Sequence, residues 1–388
     1  MQCRTPRVSA FAAAILAALL VPPAANAQIA VSANDNKPVL TDGVVKIQAN
    51  PAPDTVTIID LAASPPKVLA ELQAPSSVAG PPQNVAITPD ESLALVSSNM
   101  KIDPADPTKT AADNRVSVID LKANPPAVIA TLDAGTSPAG ISINRAGNLA
   151  LIANRGDGTV SVFTISGKTV TAAGKVDFGN NKSQPCSPAF TPDGKMALVS
   201  RDGDHKISIL SIDGSKVEDT KKTLTGGFRP YALQVSPKGD IAVVVNQGGG
   251  SGDVDTVNVI DLKGKAPRIV HTLDVGQVVE GVAFSNDGGH VAVTAQDGSN
   301  RPKTNPFYNE KGLLVVFKAD GPTLTKAAEL RTAVWNQGVA WSRDGKTLLV
   351  QSMGEQLLSV VSFDGKTLKA TGEIKTKGGP EGIRTAEK

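Results

Sequence analysis

The stretch TPDGKMALVSRDGDHKISILSIDG, Thr191–Gly214, contains two short apolar runs separated by a charged segment. The first run follows Pro-Asp-Gly, a combination that suits a tight turn between strands. Both runs are rich in Val, Ile and Leu, which fit the pleated surface of a sheet. The stretch therefore predicts a tight turn, a strand, a polar loop and a second strand.

The same pattern recurs along the chain with a period of roughly 45 to 57 residues. Each repeat begins with a first strand ahead of the tight turn, such as RPYALQV. After the second strand and the polar loop come a third strand, such as RVSVIDL or TVNVIDL, and a weaker fourth strand, such as RIVHTLDVG. Four short strands per repeat predict blades packed radially, each covered by its neighbours on both faces. The copies begin at Gly80, Ser137, Cys186, Arg229, Val279 and Asn336.

The two ends of the repeat region complement each other. GPEGIRTA, residues 379–386, matches a first strand, while DTVTIIDL and PKVLAELQ, within residues 54–73, match a third and a fourth. We therefore predict an all-β fold, a seven-bladed β-propeller of four-stranded antiparallel blades in which N- and C-terminal strands close one blade. The domain is predicted to span residues 36–386, after a flexible lead at residues 28–35.

Residues 1–27 have the order of an export signal. Arg4 and Arg7 precede an apolar run at residues 8–20, and small residues stand at Ala25 and Ala27. We predict cleavage near Ala27 and a periplasmic or secreted location. The apolar run is shorter than the roughly 20 residues that a spanning helix requires, so membrane insertion is not expected.

Charge and cysteine content exclude several classes of protein. The chain has 39 Lys and Arg against 37 Asp and Glu, and two of the arginines belong to the predicted signal. This balance argues against a nucleic-acid partner or an anionic membrane surface. Cys186 is the one cysteine after the signal, so an internal disulfide is excluded, and we predict a buried, inert thiol there rather than a nucleophile.

The repeats resemble the YVTN-type propeller repeat, with TPDESLALVSSN, RVSVIDL and VIATLDAGTSPAG as the closest matches to its pattern. The resemblance covers nearly the whole chain after residue 27 and implies a propeller. Propellers of this type include cell-surface and periplasmic binding proteins, lactonase-like hydrolases and large subunits of amine dehydrogenases. Since one fold serves all of these, the resemblance leaves the function open.

Loops that join second to third strands, and loops that join successive blades, should lie on one face of the ring. Residues 99–114, 246–255 and 296–312 make this face rich in long loops, whereas the turns on the opposite face are short. Insertions on one face are typical of a binding face, so we predict that a protein partner or a small molecule binds there. The binding candidates are Gln83, Asn84, Arg155, Arg201, Tyr231, Gln296, Arg301, Phe307, Tyr308, Trp335 and Gln337.

The aromatic residues in or beside these loops have two interpretations. They could form a recognition surface, since large rings beside polar groups often do, or they could plug the inner strands. They are Phe228, Tyr231, Phe307, Tyr308 and Trp335.

Catalysis would be sited at the mouth of the central channel. A lactonase-like hydrolase requires a positively charged or hydrogen-bonding group that stabilises an oxyanion, and a second group that activates water. Arg229, together with Glu280, Glu381 or His205, could supply these roles. The alternative is that arginines and glutamates at equivalent positions pair with each other and connect the blades.

No metal or cofactor site is predicted. The three histidines, His205, His271 and His290, fall in different parts of the repeat, and DGDH and SGDVD lack the spacing of a dedicated calcium loop. The leading prediction is an exported binding or interaction scaffold, with a lactonase-like hydrolase as the alternative. A non-catalytic large subunit of a periplasmic dehydrogenase is the third.

Overall fold

The computed structural model describes residues 28–77 and 81–387, so the predicted export signal lies outside the described residues. Within them, seven four-stranded antiparallel sheets surround a central channel. The predicted seven-bladed β-propeller is thus confirmed. The described helical structure is the single 3-10 turn Met353–Glu355, so no described helix is long and apolar enough to cross a membrane.

The strands of each blade are given from the channel outward. Blade 1 contains Gly379–Thr385, Ile29–Asp35, Thr55–Asp60 and Lys67–Gln73, and blade 2 contains Val85–Ile87, Leu93–Ser97, Arg115–Asp120 and Ala127–Asp133. Blade 3 contains Pro138–Ile143, Leu149–Asn154, Thr159–Ser166 and Thr169–Asp177, and blade 4 contains Pro185–Phe190, Met196–Arg201, Lys206–Asp213 and Lys216–Thr225. Blade 5 contains Pro230–Val235, Ile241–Asn246, Asp255–Asp261 and Arg268–Gly276, and blade 6 contains Val279–Phe284, His290–Ala295, Leu313–Asp320 and Thr323–Arg331. Blade 7 contains Asn336–Trp341, Thr347–Ser352, Leu357–Phe363 and Leu368–Lys375.

Burial falls from the channel outward. Every residue of the second strand Leu149–Asn154 is buried, whereas most of the outermost strand Thr169–Asp177 is exposed. One apolar core lies between each pair of neighbouring blades in the described chain, including the pair formed by blades 7 and 1. Between blades 6 and 7, Trp341 fills the core and its Nε1 donates to the carbonyl of Ala283 at 3.0 Å. The sheets therefore stabilise each other through their faces.

Both ends of the described chain lie in blade 1, as predicted. The strand Ile29–Asp35 pairs on one side with Gly379–Thr385 and on the other with Thr55–Asp60. The prediction of a flexible lead over residues 28–35 is wrong, because this segment supplies the fully buried second strand of the closing blade. Gln28 is also held, since its side chain donates to the carbonyl of Trp341 at 3.0 Å.

The long loops converge on one another over the predicted face, here called the loop-rich face. Two small hairpins extend it, Pro38–Thr41 with Val44–Ile47 and Met100–Ile102 with Thr110–Ala112. The tip of the first hairpin reaches the blade-6 loop, where a Cβ on Gly43 would lie 2.0 Å from the backbone nitrogen of Pro302. Only glycine allows this approach, and its φ of 74° also favours glycine. Blade 1 thereby touches blade 6 across blade 7.

Candidate functional site

Two rings of equivalent positions line the mouth of the channel on the loop-rich face. Most innermost strands have a register shift near their second residue, and such bulges re-aim side chains. The inner ring at this position consists of Ala139, Cys186, Tyr231, Glu280, Gln337 and Glu381. The rim ring, at the loop end of the second strands, includes Asp35, Arg155, Asp202, Gln247 and Gln296.

Asp202 connects blades 3, 4 and 5. Its side chain is fully buried, and its Oδ2 accepts from Arg155 Nη2 at 2.9 Å and from Arg229 Nη2 at 3.2 Å. Its other oxygen, Oδ1, is buried without a hydrogen-bond partner in the described chain. Arg229 keeps 35 % of its side chain exposed, and its other bond, from Nη1 to the carbonyl of Gly248, is 3.4 Å long. Because a guanidinium carries five N–H donors, Arg229 retains donors for a ligand.

Glu280 lies between blades 5 and 6 and is held by two amides. Its Oε1 accepts from Gln247 Nε2 at 3.0 Å and from Gln296 Nε2 at 2.6 Å. Burial raises the pKa of Glu280 to about 8, although Arg229 and the two amides oppose the shift. The carboxyl is therefore protonated at neutral pH.

Tyr231 and Cys186 continue the inner ring beneath Arg155. The Arg155 guanidinium lies 6.0 Å from the centre of the Tyr231 ring, and its Nη1 contacts the Cys186 sulfur. Burial raises the pKa of the Cys186 thiol to about 12, so the predicted buried thiol is protonated at neutral pH. Burial, reinforced by Glu280, also raises the pKa of Tyr231.

An aromatic pair flanks the glycine-rich loop above these polar groups. Phe228 is 55 % exposed and Phe307 is 46 % exposed. The His205 ring packs against Phe228 with centroids 4.6 Å apart, and its Nδ1 accepts from the backbone N–H of Arg229 at 3.3 Å. The Phe307 ring covers Gly252, where a Cβ would lie 2.3 Å from it. Arg301 joins the two loops by donating from Nη2 to the carbonyl of Gly250 at 2.6 Å.

Glu381, the remaining catalytic candidate, belongs to a separate group in blades 1 and 2. It accepts from Ser76 Oγ and, at 3.2 Å, from Asn84 Nδ2. Burial and Asp35 raise the pKa of Glu381 well above its usual value. Nearby, Lys37 Nζ lies 2.9 Å from Asp35 Oδ1, so this group has its own internal cation.

The other candidates lie apart from this arrangement. Arg201 turns toward Phe178, 4.5 Å from the ring centre, and pairs with Asp204. Trp335 is buried, and its backbone N–H donates to Ser299 Oγ at 2.9 Å, while Tyr308 is half-buried. Both interpretations of the aromatics hold in part, because Trp335 and Tyr231 fill the interior while Phe228 and Phe307 face outward.

The residues brought together are thus Arg155, Arg229, Glu280, His205, Tyr231 and Gln296, over blades 3 to 6. Asp202 and Gln247 were missed as candidates, although the repeat places them in register with Arg155. Within the described ranges, no group of three or more His, Cys, Asp or Glu side chains could hold a metal ion. His271 and His290 lie away from His205, on an outermost strand and at the start of a second strand.

Comparisons with known proteins show the fold. No family model matches the chain, and no curated protein matches its sequence. The periplasmic gluconolactonase of Pseudomonas aeruginosa is similar in structure, with a TM-score of 0.67, 16% identity, and 93% of this chain and 99% of that chain covered. A functionally unknown protein from Desulfotomaculum acetoxidans matches with a TM-score of 0.68, 15% identity and coverage of 92% and 99%. Kuenenia stuttgartiensis hydrazine synthase matches with a TM-score of 0.62, 18% identity and coverage of 81% and 91%.

Proposed function

We propose that the protein is an exported binding scaffold that takes up a small anionic ligand with an apolar body at the loop-rich face of blades 4, 5 and 6. One observation carries the proposal: Phe228 is exposed directly beside Arg229, whose guanidinium has unused donors. The guanidinium suits a carboxylate, and the rings of Phe228 and Phe307 suit the apolar part.

Export rests on the pattern of residues 1–27. The similarity to a periplasmic gluconolactonase supports a periplasmic location for this chain. We expect a periplasmic fraction of the protein that lacks residues 1–27, as identified by N-terminal sequencing; a protein that keeps these residues would contradict export.

Benzoate tests the binding site because it combines a carboxylate with one aromatic ring. We expect saturable binding by calorimetry, and at least 10-fold weaker binding by Arg229→Gln, since a charge-assisted hydrogen bond contributes roughly 1.5–3 kcal/mol. Folding should persist, because Asp202 keeps Arg155 as partner. Arg268→Gln, on the outermost strand of the same blade, is the matched control and should bind as the parent does. Equal benzoate affinity for Arg229→Gln and the parent would contradict the site.

A second candidate function, hydrolysis of a lactone at the same site, is favoured by Glu280. In this reaction ionised Glu280 takes a proton from water while the water oxygen bonds to the lactone carbonyl carbon. Arg229 holds the resulting oxyanion. The ring C–O bond then breaks, and Glu280 returns the proton to the ring oxygen. His205 is not the base in this scheme, because its Nδ1 already accepts from the backbone N–H of Arg229 and its ring packs against Phe228.

The hydrolase hypothesis predicts how turnover depends on pH. Turnover of a lactone panel should rise with pH and level off above about 8, the pKa of Glu280. Glu280→Gln should lower the rate by about 10²–10⁴-fold, the usual contribution of a positioned acid or base. Arg268→Gln is again the control. Absence of turnover across the panel would refute catalysis, and an unchanged rate in Glu280→Gln would refute Glu280 as the base; either result leaves the binding proposal standing.

A further inference from the structure

The central channel is interrupted at mid-depth by Gln83. Its backbone carbonyl accepts from Ile141 N at 2.8 Å in blade 3, and its side chain contacts Ser187 in blade 4. When the side-chain amide of Gln83 is oriented so that its nitrogen donates and its oxygen accepts, this oxygen accepts from Arg384 Nη2 in blade 1 at 3.0 Å. The channel below Gln83 therefore forms a separate compartment that opens on the face of the tight turns.

This compartment contains a cavity of about 60 Å³. Its walls come from the ends of the innermost strands and combine polar side chains with apolar ones, Phe190, Phe284 and Trp341 among the latter. Its charged groups are Arg384, Arg145 and Glu387. Since one water needs roughly 10–15 Å³ by this measure, the cavity has room for a few waters or for one small polyatomic ion.

Arg384 is a buried cation whose positive charge has no close carboxylate partner in the described chain. It is 7% exposed, and burial lowers the pKa of its guanidinium. Glu387 is its one carboxylate partner in the described chain, with 3.6 Å between Arg384 Nη1 and Glu387 Oε1, which is too long for a hydrogen bond. Glu387 is also 37% exposed and is shared with Gln234 Nε2 at 3.1 Å. A buried charge normally requires a close partner of opposite sign.

We propose that the tight-turn end of the channel is a second binding site, for a small anion of the size of acetate, held by the Arg384 guanidinium. The carboxylate of Glu387 partly occupies the same position from within the chain and acts as an internal competitor. The volume of about 60 Å³ suits a small ion, and Arg145, which also lines the cavity, adds a second positive charge. Arg145 donates from Nη2 to the carbonyl of Pro237 at 2.6 Å, and its other N–H groups remain available for a ligand.

Titration with ¹³C-acetate at constant ionic strength tests the site, and every protein compared, the parent included, carries Arg229→Gln so that acetate cannot bind to Arg229 at the loop-rich face. The parent protein should bind acetate saturably, and Glu387→Gln should bind it at least 5-fold more tightly because the competitor has lost its charge. Arg384→Gln should lose saturable binding. Arg343→Gln, which removes a half-exposed arginine paired with Glu91 outside the channel, is the matched control and should behave as the parent does.

Two results would overturn the second site. One is an unchanged acetate affinity in Glu387→Gln, a measurement that remains available if Arg384→Gln fails to fold. The other is saturable binding retained by folded Arg384→Gln. Glu387 lies at the tight-turn end of the channel and Arg229 on the opposite face, so benzoate binding at the loop-rich face should be the same in Glu387→Gln and the parent. The failure of either site can therefore be recognised independently.

Discussion

Asp202→Ala should lower the free energy of unfolding by about 3–5 kcal/mol, the cost of removing one partner from a buried ion pair. The substitution leaves Arg155, whose side chain is mostly buried, without its carboxylate and also removes the ion pair of Arg229. It would weaken the connection among three consecutive blades at the inner edge of the ring. Urea denaturation at neutral pH measures the change.

An exposed ion pair provides the control for Asp202. Glu329 lies 2.9 Å from Lys326, and both side chains are more than half exposed. Because solvent screens such pairs, Glu329→Ala should cost less than about 1 kcal/mol. A loss below about 1 kcal/mol for Asp202→Ala as well would show that the buried network does not hold blades 3 to 5 together.

Glu280→Gln should change the pH dependence of stability by several kcal/mol. Burial raises the pKa of Glu280 from 4.5 to about 8, so between these pH values the folded protein holds a proton that the unfolded chain has released. The stabilisation is fully present below pH 4.5 and is lost as pH rises through 8, at roughly 1.4 kcal/mol per pH unit. Tyr231, which interacts with Glu280, does not change charge in this range because burial raises its pKa.

Glutamine cannot ionise and can still bond to Gln247 and Gln296. The variant should therefore be more stable than the parent at pH 8 and similar to it at pH 4.5, as measured by urea denaturation at both pH values. Glu329→Gln, at an exposed position, should leave the pH dependence unchanged. Parallel stability curves for Glu280→Gln and the parent would contradict the raised pKa.

These two carboxyl groups have opposite consequences for stability. Asp202 pairs with Arg155 and Arg229 and stabilises the fold, so an aspartate, and not the glutamates named in the sequence analysis, connects these blades through arginines. Glu280 is bound by neutral amides, and its burial destabilises the fold at neutral and alkaline pH. A group that lowers stability in this way is typical of a functional site. This contrast favours Glu280 as part of a ligand site.

The sequence predicts the blades because each repeat carries its own turn signals and strand residues. The sequence does not reveal the strand Ile29–Asp35 as readily, because this strand pairs with Gly379–Thr385, at the other end of the chain. IAVSAND does share the apolar-then-Asn ending of LALIAN and IAVVVN, a signal that could have identified it.

The candidate site is less predictable for a physical reason. Equivalent positions of the repeat lie at the same depth along the channel. Asp202 and Gln247 could therefore have been identified as site residues from their register with Arg155. The repeat does not give the direction in which a side chain points. Arg201 turns outward to Phe178 although Asp202, the next residue, faces the channel. Nor does the repeat pattern reveal that Glu381 pairs with Ser76 and Asn84 rather than with the arginines.

The central claim is that the loop-rich face over blades 4 to 6 binds an anionic ligand through Arg229. A crystal soaked in 4-bromobenzoate tests it most directly, because the anomalous signal of bromine locates the bound molecule. The expected result is a carboxylate bonded to the Arg229 guanidinium and a bromine peak over the ring of Phe228 or Phe307. A bromine peak at another place only, or no peak in crystals that leave this face open to solvent, would contradict the claim.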